Sequence, residues 1–287
     1  MTEFASVNGL QLCYESFGSP EDKPMLLIMG LGAQMIFWDD ELCQLLADQG
    51  HHVVRFDNRD VGLSTHLHEA GPPDLAAALG GHPQAAYLLK DLAADAAGLM
   101  DHLGWPSAHI VGASMGGMIA QTFAIEYPER TLTLTSIMST PGPDIGAPSP
   151  EAGAALLMPP APDRATAVER SFELWGIIGS PGFEMDRERV ARIAGLSYDR
   201  AYDPAGTARQ LVAIIASGDR TDQLRQLDVP ALVIHGEADR LVQLPGGIAT
   251  AEAIPGARLL TFPGMGHDLP RQLWKQITGA ITELTSA

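Results

Sequence analysis

The amino-acid sequence predicts an α/β fold: a mostly parallel sheet with helices on both faces, interrupted by a helical insertion. Three observations carry this expectation. Short continuous apolar runs, such as residues 25–29 and 231–235, have the length and character of strands buried on both faces. Longer segments with apolar residues at helical spacing lie between such runs, so strand and helix alternate. The alternation stops at Ser139 and resumes at Ala231, leaving helical segments with no strand between them.

The elements follow in order. Residues 10–17 alternate in the manner of an antiparallel strand and end in the turn Gly18-Ser19-Pro20. Residues 25–29 form the first buried strand. Residues 37–49 read as a helix closed by Gly50, a residue suited to the left-handed position past a helix end. A strand at 52–56 leads into a loop over 57–82 that is rich in Gly, Pro and His. Within 86–103, Leu88, Leu92, Ala96, Leu99 and Met100 share one helical face, and Gly104 and Pro106 stop the helix. A strand at 109–111, a tight turn at 112–117, a helix to Glu126 and a strand at 132–138 complete the first half. Residues 139–162 are dense in Pro, Gly and Ala, and 165–179, 187–195 and 207–217 read as helices. Strands at 231–235 and 258–262 and an amphipathic helix at 271–284 close the chain. The expected organisation is one α/β core in two parts, residues 1–140 and 225–287, with a helical cap at 141–224.

The charge narrows the function. Thirty-five acidic residues against 18 basic ones give a formal net charge of −17, with no Lys/Arg cluster. Phosphate backbones and anionic membranes both require concentrated positive charge, so neither nucleic acid nor a membrane is an expected partner. The same charge keeps a protein soluble and favours neutral substrates over anions. Cys13 and Cys43 stand outside any C-x-x-C pattern and read as buried thiols rather than a disulfide or metal pair. The N-terminal residues lack a basic and apolar leader, so a cytoplasmic location is expected.

The chemistry centres on Gly112-Ala113-Ser114-Met115-Gly116, a G-x-S-x-G string between a strand and a helix. A nucleophile at the apex of such a turn requires strand and helix to pass so closely that only glycine fits on either side. The alternative for Ser114 is a plain helix N-cap. A serine hydroxyl needs a base, and the base needs a carboxylate to orient it. Of nine histidines, only His235 and His267 follow Ser114. His267 lies in the loop Gly264-Met265-Gly266-His267 after the last strand and is the expected base, whereas His235 ends a strand and reads as structural. Asp239, just past another strand end, is the expected acid, with Glu237 as competitor; Asp268 adjoins His267 too closely to face it. Backbone N–H groups of Met115 and of Leu31, with Gly32 next, are the expected oxyanion donors. Phe37, Trp38 and Trp175 are the expected pocket residues. His66 and His68 have no third ligand near them in sequence and read as loop residues, so no metal is expected.

Together these motifs resemble the α/β-hydrolase superfamily over essentially the whole chain. The carriers are the Gly30-Leu31-Gly32 loop, Asp57-Asn58-Arg59-Asp60-Val61-Gly62-Leu63-Ser64, the Ser114 turn, His235-Gly236-Glu237-Ala238-Asp239 and Gly264-Met265-Gly266-His267. The second motif usually carries Gly where this chain has Asp60. That replacement, with Met29-Gly30 where many relatives have His-Gly, resembles the aclacinomycin methylesterase-like branch of serine esterases. Relatives of this fold that hydrolyse haloalkanes or epoxides carry Asp at the position of Ser114. The resemblance implies carboxylic-ester hydrolysis through an acyl-enzyme, without a cofactor; the net charge and the apolar residues of the insertion point to a small, neutral, hydrophobic ester. The alternatives are carbon–carbon bond hydrolysis, lactone opening or perhydrolysis with the same residues, or a ligand receptor on the same scaffold.

Overall fold

The computed structural model describes residues 2–286. Eight strands form one sheet: β1 (Glu3–Val7), β2 (Leu10–Phe17), β3 (Lys23–Ile28), β4 (His51–Phe56), β5 (Ala108–Ala113), β6 (Thr131–Ile137), β7 (Ala231–Gly236) and β8 (Arg258–Phe262). Their spatial order is β1-β2-β4-β3-β5-β6-β7-β8. The pairs β1–β2 and β2–β4 are antiparallel and every other pair is parallel. β4, β5 and β7 are buried along their whole length, as central strands covered on both faces are, although β4 carries His51, His52 and Arg55 among its apolar residues.

Helices α1 (Asp40–Ala47), α2 (Leu75–Leu79), α3 (Leu89–His102) and α4 (Met115–Glu126) belong to the first half of the chain. Between β6 and β7 come α5 (Pro150–Leu156), α6 (Arg164–Ile178), α7 (Arg187–Arg200), α8 (Pro204–Ser217) and α9 (Thr221–Leu224). Helices α10 (Leu244–Ala253) and α11 (Trp274–Ser286) flank β8. The apolar residues divide into two clusters, one on each face of the sheet. One joins Leu26, Ile28 and Ile110 to Leu92, Leu99 and Phe123 of α3 and α4; the other joins Leu27, Val111 and Ile234 to Leu42, Leu46 and Ile277 of α1 and α11. That two-sided cover is what a parallel sheet needs.

Three local features depart from the sequence reading. Strand β1 is additional: only Ala5 and Val7 are buried in it, too few for an apolar signal. The hairpin that makes it turns on Asn8-Gly9, both at positive φ (50° and 81°), a turn signal plainly present in the sequence. The expected helix at 37–49 is split: Met35–Phe37 is a 3₁₀ turn, and Asp39 then caps α1 by accepting from the Glu41 N–H at 3.1 Å. Short helices α2, α5 and α9 escape periodicity because they span hardly more than one or two turns.

Candidate active site

Ser114 joins β5 to α4 with φ 58° and ψ −122°, a conformation that few non-glycine residues adopt. The crowding behind it is extreme. A Cβ on Gly112 would stand 2.0 Å from the Gly116 carbonyl oxygen, and one on Gly116 would stand 2.0 Å from that of Ile28. Only glycine fits at either position, and the turn between them holds Ser114 out from the sheet edge. Ser114 does not use its side chain to cap α4, which sets aside the plain N-cap reading.

Its hydroxyl meets His267 instead. Ser114 Oγ lies 2.9 Å from His267 Nε2, and His267 Nδ1 lies 2.7 Å from Asp239 Oδ2. Asp239 is buried, and its other oxygen accepts the N–H groups of Leu241 (2.9 Å) and Val242 (3.0 Å). Both carboxylate oxygens are therefore committed, which fixes the plane of the group. Glu237 turns away and accepts from Thr261 Oγ1 at 2.8 Å. His235 Nε2 donates to the Val242 carbonyl at 2.7 Å, and burial holds its pKa below the usual imidazole value. An imidazole held between a hydroxyl and a buried carboxylate can take the hydroxyl proton.

The loop carrying His267 is pressed against the segment that follows α6. The His267 N–H donates to the Ile178 carbonyl at 2.7 Å, and the Gly182 N–H donates to that of Gly264 at 2.9 Å. A Cβ on Gly266 would stand 2.1 Å from the Gly179 carbonyl oxygen. Asp268 is bonded by the Ser180 hydroxyl, which in turn accepts the Gly266 N–H at 2.8 Å. Burial pushes the Asp268 carboxyl above its usual range despite that bond.

The loop after β3 also reaches Ser114: a Cβ on Gly30 would lie 3.0 Å from Ser114 Cβ and 3.4 Å from Oγ. The Gly32 N–H is taken by Gln210 Oε1 at 2.8 Å, so it is unavailable to a ligand. Among the described residues the N–H groups of Leu31 and Met115 carry no hydrogen bond.

A cavity of about 570 Å³ opens beside these residues, with His267 in its wall. Met29, Phe37, Met138, Trp175 and Phe183 form an apolar lining, and Arg189 is among the charged residues around it. The rings of Phe37 and Trp175 lie 6.4 Å apart between centroids, so two of the three expected pocket residues meet across the space. Trp38 does not join them. It is 1% exposed and packs with Leu42, Cys43 and Leu46, because the chain turns inward between the 3₁₀ segment and the Asp39 cap. The expectation that Trp38 lines the pocket is corrected accordingly.

The family described as the alpha/beta hydrolase fold matches residues 23–270. The chain belongs to the α/β-hydrolase fold family. It is 30% identical to rhodomycin D methylesterase DauP of Streptomyces sp. (strain C5), over 100% of this chain and 98% of the relative. That agrees with the branch expected from Asp60 and Met29-Gly30. It is 27% identical to 3-oxoadipate enol-lactonase 2 of Acinetobacter baylyi, over 85% of this chain and 81% of the relative. Among solved structures, a hydrolase from Pseudomonas aeruginosa superposes with a TM-score of 0.76 at 26% identity, covering 100% of this chain and 98% of the other.

Sequence reasoning missed how this hydrolase ties α7 and α8 to its sheet. Arg200 pairs with buried Asp57 at 2.8 Å, and Arg189 and Arg192 reach Asp39 at 3.1 and 3.2 Å. Arg209 holds Asp60 through two contacts of 2.9 and 2.7 Å, and Tyr87 and the Leu67 N–H complete the shell, each at 2.7 Å. Asp60, the residue that departs from the usual motif, sits at φ 70°, fully buried. Burial opposes its ionisation, but Arg209 and the other donors outweigh it and hold the pKa below the ordinary carboxylate value. The signal for this pairing was the departure itself, since a carboxylate in place of Gly inside a core calls for a cation. Cys13 and Cys43 are free and buried, their pKa values both pushed up to about 12, mainly by burial.

Proposed function

We propose that this chain is a serine esterase that cleaves small, neutral, hydrophobic carboxylic esters through an acyl-enzyme. The observation that carries the reading is the hydrogen-bonded line from Ser114 through His267 to Asp239. Asp239 accepts the Nδ1–H of His267, which leaves the Nε2 lone pair facing the serine hydroxyl. Ser114 Oγ attacks the ester carbonyl as its proton passes to His267 Nε2. The Met115 and Leu31 N–H groups hold the resulting oxyanion, aided by the positive end of α4. Collapse expels the alcohol, which takes the proton from His267. Water then attacks the acyl carbonyl as His267 takes its proton, and return of that proton to Ser114 Oγ as the acyl–oxygen bond breaks releases the acid. Within the cap at residues 141–224, α6 and α7 wall the cavity, and its apolar lining supports a hydrophobic acyl or alkoxy group. The similarity to a rhodomycin D methylesterase supports ester hydrolysis in particular.

Incubation with a fluorophosphonate probe should label the wild-type chain and leave Ser114→Ala unlabelled. Turnover of p-nitrophenyl acetate should fall by about 10⁴-fold or more in that variant. Intact labelling or turnover in Ser114→Ala would sink the proposal. The similarity to an enol-lactonase favours lactone opening as the second reading. A panel of short esters, lactones and vinylogous diketones separates them: a kcat/KM higher for lactones than for every ester moves the assignment.

A further inference from the structure

Outside the cavity, a second set of side chains converges without a role in ester cleavage. His66 and His68 lie in the loop after β4, and the sequence offers no third donor near them. The fold supplies one. Asp203, which caps α8 from 137 residues further on, lies with Oδ2 2.8 Å from His66 Nδ1 and 3.7 Å from His68 Nδ1. All three donor atoms lie within 4.8 Å of one another. The two imidazole rings are parallel, 11° apart in plane, and turn the same edge toward the carboxylate.

The hydrogen bonding of His66 makes this more than proximity. Its Nε2 lies 3.0 Å from the Gly62 carbonyl oxygen, which can only accept, so Nε2 carries the proton. In that tautomer Nδ1 presents a lone pair, and it faces the lone pairs of Asp203 Oδ2 at 2.8 Å. Two acceptors at that distance require a cation between them, either a metal ion or a second proton. A carbonyl holding the remote ring N–H is also the usual arrangement behind a ligating histidine.

We propose that His66, His68 and Asp203 form a binding site for a divalent transition-metal ion of the zinc class. Tetrahedral coordination at metal–donor lengths of about 2.0–2.2 Å places donor atoms about 3.3 Å apart, and the two nitrogen–oxygen separations here bracket that value. His66 and Asp203 are half-buried and His68 is exposed, so water completes the coordination from the open side. Arg209 Nη2 lies 3.4 Å from Asp203 Oδ2, but Asp60 already engages that guanidinium, and two carboxylates against one cation leave the site net negative. A metal held here ties the loop around His66 to the residue that starts α8.

The test uses the full chain without an affinity tag, titrated with Zn²⁺ in a calorimeter and with Co²⁺ under visible absorption. The expected result is one equivalent per chain, removed by EDTA, with a rise in Tm on loading. Two variants locate the site. His68→Ala alters an exposed side chain, and Asp203→Asn keeps an oxygen for the Ala205 N–H it now accepts at 3.1 Å. Each should bind at least ~10-fold more weakly, with the rise in Tm abolished and the ester turnover of His68→Ala unchanged. Absence of a saturable equivalent below millimolar metal overturns the proposal. Wild-type affinity in both variants overturns it as well.

Discussion

Asp239 spends one oxygen on His267 and the other on the turn at Leu241 and Val242, so its chemistry and its structure can be separated by substitution. Asp239→Asn retains an oxygen for the turn but places an amide N–H against His267 Nδ1, forcing the wrong tautomer. Turnover should fall by about 10⁴-fold, with Tm little changed; comparing kcat and thermal unfolding of the purified variant checks this. Asp60 invites the opposite expectation. Asp60→Gly restores the usual motif residue and removes the strain at φ 70°, yet leaves the buried Arg209 with only the 3.4 Å contact to Asp203 and the Gly71 carbonyl. Loss of one partner of a buried pair costs about 3–5 kcal/mol, so urea unfolding should show this variant destabilised, and Asp60→Gly/Arg209→Met should recover most of the loss. The residues of the candidate site were legible because each sits in a short motif at a strand end, where local sequence reflects local crowding. Trp38 was not legible: its neighbour Phe37 reaches the cavity, and only the inward turn at Asp39 decides which of two adjacent aromatic residues does so.

Among the elements, α7 presents two kinds of ion pair to a measurement. The Arg200–Asp57 pair is 12% and 0% exposed, and Asp57 also accepts the Met35 N–H at 2.7 Å. The Arg164–Asp199 pair, linking α6 to α7, is 55% and 52% exposed. Water and side-chain entropy leave exposed pairs worth less than about 1 kcal/mol, whereas breaking a buried one leaves a charge without a partner. Arg200→Met should therefore lower unfolding stability by about 3–5 kcal/mol, and Arg164→Ala by less than about 1 kcal/mol. Equal losses in chemical denaturation would contradict this division. The parallel strands were readable to within a residue or three because burial on both faces leaves continuous apolar runs. Long-range pairs such as Arg200–Asp57 and Arg209–Asp60 were not: Asp60 in place of Gly signals that a cation is needed, but the partners lie 143 and 149 residues apart and nothing local says which residue supplies it.

For the molecule as a whole, buried imidazoles set an acid limit. His51, His52, His109 and His235 are all buried, and burial lowers each pKa, that of His109 to about 4. Below the unfolded-state value of about 6.5 the unfolded chain takes up protons that the folded chain refuses. Stability is therefore full above that pH and falls as pH drops toward 4. Asp268, raised by burial, contributes with the opposite sign, but it is one group against four. Tm should decline between pH 6.5 and 5, and His109→Gln should flatten that decline; a flat profile in the wild type would contradict the account. The fold class was readable at this scale because alternation of strand and helix is a whole-chain pattern. The contact between the His267 loop and residues 178–182 was not, yet it bears on how such enzymes can be recombined. Glycine-to-backbone contact along that seam leaves no slack for a foreign partner. A chimaera that imports new helices at residues 141–224 should keep its stability only if residues 263–268 are imported with them, and on the proposed function that makes substrate choice and proton transfer a single inherited block.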